Sequence, residues 1–121
     1  MTTVILDTNA LMMPFQFGIN LDLELQRLFG SFKVLVPSPV IEELRSLASG
    51  NSAARNALRL AEKYGTVELE GEVDKILVDL AKDKNAVVVS NDKLVIRSLR
   101  EEGLPYVRLR SQSHLVLEGG L

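Results

Sequence analysis

The chain has 121 residues, 46% of them hydrophobic and 25% charged, with a net charge of −2. This size and balance predict one compact domain over residues 1–121 with a sizeable core, and they exclude disorder, collagen-like repeats and the broad basic surface of a DNA-coating protein. Charges interrupt every apolar run short of the ~18 residues a bilayer span needs, and Met1-Thr2-Thr3 offers no basic lead into a secretion signal, so the expected location is the cytoplasm.

In chain order, Val4-Ile5-Leu6 is the first short apolar run, ending in Asp7-Thr8-Asn9. Continuous runs without alternation are what parallel strands buried on both faces look like. Residues 12–19 are rich in large apolar side chains but fit neither the helical nor the strand period. They read as a loop folded onto the core, with a partner or dimer surface, or a lid beside a substrate, as the other readings. Val34-Leu35-Val36 is a second buried strand, stopped by Pro37. Ser38 then suits an N-cap with Pro39 at the first helical position, and Val40, Leu44, Leu47 and Ala48 form one apolar face.

Gly50-Asn51-Ser52 breaks that helix and starts another, where Ala54, Ala57, Leu58 and Ala61 recur at helical spacing until Gly65. Residues 66–69 alternate and read as a short or edge strand. Val73, Ile76, Leu77, Leu80 and Ala81 mark a further helix, and Ala86-Val87-Val88-Val89 another buried strand, ending in Ser90-Asn91-Asp92. Val95, Ile96 and Leu99 mark the last helix, closed by Gly103 and Pro105, before the alternating Tyr106-Val107-Arg108-Leu109-Arg110, which reads as a second short or edge strand. Strands alternating with helices predict an α/β fold with a mostly parallel central sheet of about five strands.

Cysteine is absent, which removes disulfides, thiolate zinc sites and cysteine nucleophiles. His114 is the single histidine and lies near a C-terminus expected to be mobile, a poor foundation for a histidine metal site or a Ser/His/Asp triad. Any metal here must be held by oxygen, which suits Mg²⁺ or Mn²⁺.

The acids repay closer reading. Ligands of open parallel sheets bind beyond the carboxyl ends of the strands, and Asp7 and Asp92 both belong to that edge. If their strands are neighbours, ~4.8 Å apart, the two carboxylates can share one cation. On a wheel of about 100° per residue, Glu43 lies roughly 100° from the centre of its helix's apolar face and Glu42 roughly 160°. The same construction puts Asp74 roughly 90° and Asp79 roughly 130° from theirs, so Glu43 and Asp74 are the rim residues. Each acid alone has an ordinary explanation, as a turn or helix cap or a first-turn acid. Four of them meeting at one sheet edge would repel and raise one another's pKa values unless a cation compensates.

The segments Val4-Ile5-Leu6-Asp7-Thr8-Asn9-Ala10-Leu11, Val36-Pro37-Ser38-Pro39-Val40-Ile41-Glu42-Glu43-Leu44, Asp74-Lys75-Ile76-Leu77 and Val88-Val89-Ser90-Asn91-Asp92-Lys93-Leu94 resemble, in order and spacing, the motifs of PIN-domain nucleases. The resemblance spans residues 4 to about 110 and implies an α/β/α sandwich with a divalent-metal site for hydrolysing RNA phosphodiesters. It places Asp7, Glu43, Asp74 and Asp92 as the metal-binding, catalytic acids, with Asn9 and Ser90 at polar positions that orient the acids or bound water.

Residues 12–19 are similar to archaeal members related to nucleases that trim precursor ribosomal RNA, the branch this resemblance favours. Other members are toxins paired with a small antitoxin. The resemblance thus implies RNA, an antitoxin or ribosome-assembly partner, or a second copy as partners. Lys93, Arg97 and Arg100 form a basic stripe beginning beside Asp92, readable as a solvated face or as a track for the RNA backbone. The alternative function is a catalytically silent RNA-binding or scaffold domain in a ribosome-assembly complex. Transfer through an aspartyl phosphate is disfavoured because Asn9, not a second aspartate, follows Asp7 two residues on.

Overall fold

The computed structural model describes residues 1–119. The chain runs β1 (Thr2–Leu6), α1 (Thr8–Phe17), α2 (Leu21–Phe29), β2 (Phe32–Pro37), α3 (Ser38–Ala48), α4 (Ser52–Ala61), β3 (Gly65–Val67), α5 (Val73–Lys84), β4 (Val87–Val89), α6 (Lys93–Glu101), β5 (Tyr106–Arg110) and β6 (His114–Glu118). The strands form one sheet in the order β3-β2-β1-β4-β5-β6, parallel throughout except for the antiparallel β5–β6 pair.

Alternation along the central strands divides the core into two layers. Val4, Leu6, Val87 and Val89 face α1 to α4, while Ile5 and Val88 face α5 and α6. Both faces of β1 and β4 are therefore dry, which explains their unbroken apolar sequences.

The chain builds β2 and β3 on one side of β1 and then returns to lay β4 on the other. That reversal makes the β1/β4 boundary a topological switch point, where the connections leave in opposite directions and open a crevice at the carboxyl ends of the strands. Leu6 is in register with Val89, and the Asp7 amide donates to the Val89 carbonyl at 3.4 Å. Asp7 and the Ser90–Asp92 turn consequently emerge side by side.

The structure corrects several sequence expectations. Residues 12–17 are not a loop but the continuation of α1. Ala10, Leu11, Met12 and Met13 are all buried, so no one-sided stripe marks this helix. Pro14 lies inside it, and Gly18, at a left-handed φ of 69°, ends it by donating its amide to the Pro14 carbonyl. Helix α2, unassigned from sequence, is capped by the Asn20 side chain and buries Leu21 and Leu25. Ser38 does not cap α3: its Oγ donates to the Leu69 carbonyl and accepts from the Leu69 amide, at 3.1 and 3.0 Å, tying α3 to the chain beyond β3.

The sheet has six strands rather than about five, because His114 opens a paired β6 instead of a mobile tail. β5 is thereby flanked on both sides, and only β3 keeps the edge position expected of it.

Candidate active site

Four elements deliver the acids to the switch point. Asp7 follows β1 and caps α1, its Oδ1 accepting the Ala10 amide at 2.8 Å. Asp92 follows β4 and caps α6, its Oδ1 accepting the amides of Leu94 and Val95 at 2.8 and 3.3 Å. The ordinary role of each aspartate is thus real. It engages only Oδ1 of Asp92, leaving Oδ2 free of such bonds among the described residues. Glu43 comes from α3 and Asp74 from the first turn of α5.

All four carboxylates line one small cavity of about 70 Å³, together with Thr8, Asn9 and the apolar walls Val73, Leu77 and Val95. Glu42 and Asp79 do not reach it. Glu42 lines a separate depression with Ser38, Ile41 and Arg45, and Asp79 lines the groove between α5 and α6.

Burial dominates the electrostatics. Asp7 is 4% exposed, and loss of solvent pushes its carboxyl up to about 7. The Ser90 hydroxyl and the Ala10 amide oppose that rise, while the charges of Asp92 and Glu43 add to it. Asp74 is raised as well, first by burial and then by Asp92, Glu72 and Glu43. Ser90 is wholly buried, and its Oγ also accepts the Asp92 amide at 3.0 Å, so one hydroxyl serves both aspartates. Asn91 holds the same turn from the other side, its Oδ1 accepting the Leu109 amide at 2.9 Å. Asn9 is exposed at the cavity's edge.

The donor set is all carboxylate oxygen with polar neighbours, the chemistry of a hard divalent cation. Among the described residues no three acids converge tightly enough to make a closed ligand set, so a cation would need water to complete its shell here, as Mg²⁺ commonly does.

The basic stripe is less free than its spacing suggests. Arg97 pairs with Glu101 at 3.2 Å, and Arg100 donates to the Tyr106 hydroxyl at 2.9 Å with its guanidinium over that ring. Lys93 has no ion-pair partner among the described residues. Sequence reasoning passed over Thr8, Asn91 and the three wall residues. Thr8 and Asn91 sit inside recognised motifs, but nothing in their spacing distinguishes them from ordinary turn residues.

The sequence profile of the PIN like domain matches residues 4–112. The chain belongs to the PIN-domain ribonuclease family. This PIN domain is similar to Ribonuclease VapC9 of Archaeoglobus fulgidus, with 30% identity over 94% of this chain and 87% of that protein. It is similar too to Ribonuclease VapC4 of Methanocaldococcus jannaschii, with 28% identity over 98% of each chain. Among solved structures, the PIN domain endonuclease Utp24 superposes with a TM-score of 0.81 at 25% identity, covering 96% of this chain and 90% of that one. A domain of a functionally unknown protein from Methanocaldococcus jannaschii has a TM-score of 0.65 at 16% identity, covering 92% and 93%, and shares the PIN domain's fold.

Proposed function

We propose that this PIN domain is a divalent-metal-dependent endoribonuclease, with the single domain of residues 1–121 carrying the activity in the cytoplasm. The observation that carries the reading is the gathering of Asp7, Glu43, Asp74 and Asp92 around one cavity at the switch point. The word ribonuclease in the names of two relatives supports RNA as substrate, and endonuclease in the name of the superposed neighbour supports internal cleavage.

Asp7 and Asp92 would hold Mg²⁺ or Mn²⁺, with Glu43 and Asp74 completing the arrangement through water. Such a cation supplies a water of lowered pKa and neutralises charge on the phosphate and leaving oxygen. The protein's share is positioning. Ser90 fixes both aspartates, the α1 and α6 amides hold one oxygen of each towards the helix ends, and Val73, Leu77 and Val95 keep the cavity's walls dry. Asn9 stands at the edge where it can orient an incoming group, and Lys93, beside Asp92, can meet the RNA backbone.

Similarity to the two VapC ribonucleases favours the toxin role, with an antitoxin as partner, over ribosomal RNA processing. Incubation with a circular single-stranded RNA tests the activity. Opening of the circle in Mn²⁺ and its suppression by EDTA are expected. An intact circle bound with unchanged affinity would point instead to a silent RNA-binding or scaffold domain.

A further inference from the structure

The Thr8 hydroxyl is the one buried side-chain polar atom among the described residues that finds no hydrogen-bond partner in the chain. Thr8 is 6% exposed and lines the same cavity as the four acids. Every other buried side-chain oxygen and nitrogen described is satisfied, including the fully buried Ser90. An unpaired buried hydroxyl is costly, and valine has the same shape without it. The unpaired hydroxyl therefore points to a partner that arrives from outside the polypeptide.

The size of the cavity limits what that partner is. About 70 Å³ has room for roughly two water-sized groups, at about 30 Å³ each. A water bound to a cation has its lone pair committed and only protons to offer, and a threonine oxygen has two acceptor sites free. We propose that Thr8 is a positioning residue of the metal site, its hydroxyl accepting a hydrogen bond from a water in the shell of the cation that Asp7 and Asp92 would hold. The assignment rests on the metal-dependent reading above. It adds a hydroxyl to the groups around the four acids, contributed by the first turn of α1 directly after Asp7, and it would give an outer contact to a ligand set that does not close by itself.

Titration calorimetry with Mn²⁺ and melting curves in EDTA, on wild type, Thr8→Val and Thr8→Ser, test this. Thr8→Val should bind Mn²⁺ about tenfold more weakly, the scale of losing an outer-shell partner. Its metal-free form should melt at the same temperature as wild type or higher, because an unsatisfied hydroxyl has been removed. Thr8→Ser should bind as wild type does. Equal Mn²⁺ affinity in Thr8→Val and wild type overturns the assignment. A lower metal-free melting temperature in Thr8→Val overturns it too, by showing that the hydroxyl is already satisfied without metal, and so does Thr8→Ser behaving like Thr8→Val, which would assign the effect to packing. Failure of wild type itself to bind Mn²⁺ is a different result, seen before any variant is titrated, and overturns the metal-dependent reading together with what rests on it.

Discussion

The Ser90 hydroxyl joins the two aspartates that end neighbouring strands, accepting the Asp92 amide at 3.0 Å and favouring the charged form of the Asp7 carboxyl. It does so from full burial, on the turn that leaves β4 at the switch point. Removing it leaves the Asp92 amide without that partner and takes from Asp7 one of the two groups that oppose its raised pKa. Ser90→Ala should therefore destabilise the protein by about 1–3 kcal/mol. It should also move the Asp7 titration further upwards. Denaturant melts give the first effect and the pH dependence of stability the second; a neutral substitution would show that the hydroxyl does not couple the two acids.

Asp7 itself makes metal-free stability depend on pH. Folded, it holds its proton up to about pH 7, whereas an unfolded aspartate releases it near about pH 4. Between those values the folded state binds more protons, so unfolding free energy falls as pH rises through the window and levels off above it. In EDTA the protein should melt at a higher temperature at pH 5 than at pH 8. Asp7→Asn should remove most of that difference and be the more stable form at pH 8. Mn²⁺ affinity should rise over the same range, because the cation binds the carboxylate. A pH profile unchanged by Asp7→Asn would assign the effect to other groups.

The helical register of the remaining acids gives a sharper contrast. Glu43→Gln and Asp74→Asn should abolish Mn²⁺-dependent cleavage, since both line the cavity and the amides keep shape while removing charge. Glu42→Gln and Asp79→Asn, which line other surfaces, should retain it. Both pairs should fold: Glu42 and Asp79 lie on the surface, where such changes cost less than ~0.5 kcal/mol, and the amides at Glu43 and Asp74 keep shape while relieving repulsion among the acids. Equal loss in Glu42→Gln and Glu43→Gln would show that both faces of α3 serve the site.

How much of this was legible in the sequence depends on the kind of signal. The strands ending at Asp7 and Asp92 stand out because burial on both faces makes them uniformly apolar, and the wheel separates Glu43 from Glu42 because α3 is amphipathic. Helix α1 hides because it is buried on several sides and carries Pro14, so it lacks the stripe on which periodicity depends. Ser38 looks like a cap because local chemistry favours one. Its hydroxyl instead serves Leu69, thirty-one residues away, a tertiary contact no local pattern encodes. The pairing of β6 with β5 is hidden in the same way, and the basic stripe reads as free because the Tyr106 hydroxyl that takes up Arg100 comes from another element.

Those pairings change what the basic residues should do. Lys93→Ala should weaken RNA association and lower its salt-dependence slope by about one, the signature of a lost phosphate contact. Arg97→Ala, already paired with Glu101, should change both less. Arg100→Ala should act mainly on stability through Tyr106. Filter binding across a salt series distinguishes the three, and a larger effect from Arg97 or Arg100 would show that RNA displaces their partners.

The central claim is that the acids at the β1/β4 switch point hold a catalytic divalent ion, and single-turnover cleavage of single-stranded RNA measures it most directly. Wild type and Asp92→Asn should be compared in Mn²⁺ and in EDTA, with circular dichroism confirming that both are folded. Wild type should cleave in Mn²⁺ alone. Asp92→Asn should lose cleavage while keeping RNA affinity, because its amide oxygen still caps α6 but cannot supply the charge that holds the ion. Full cleavage by folded Asp92→Asn, or cleavage by wild type undiminished in EDTA, would contradict the claim.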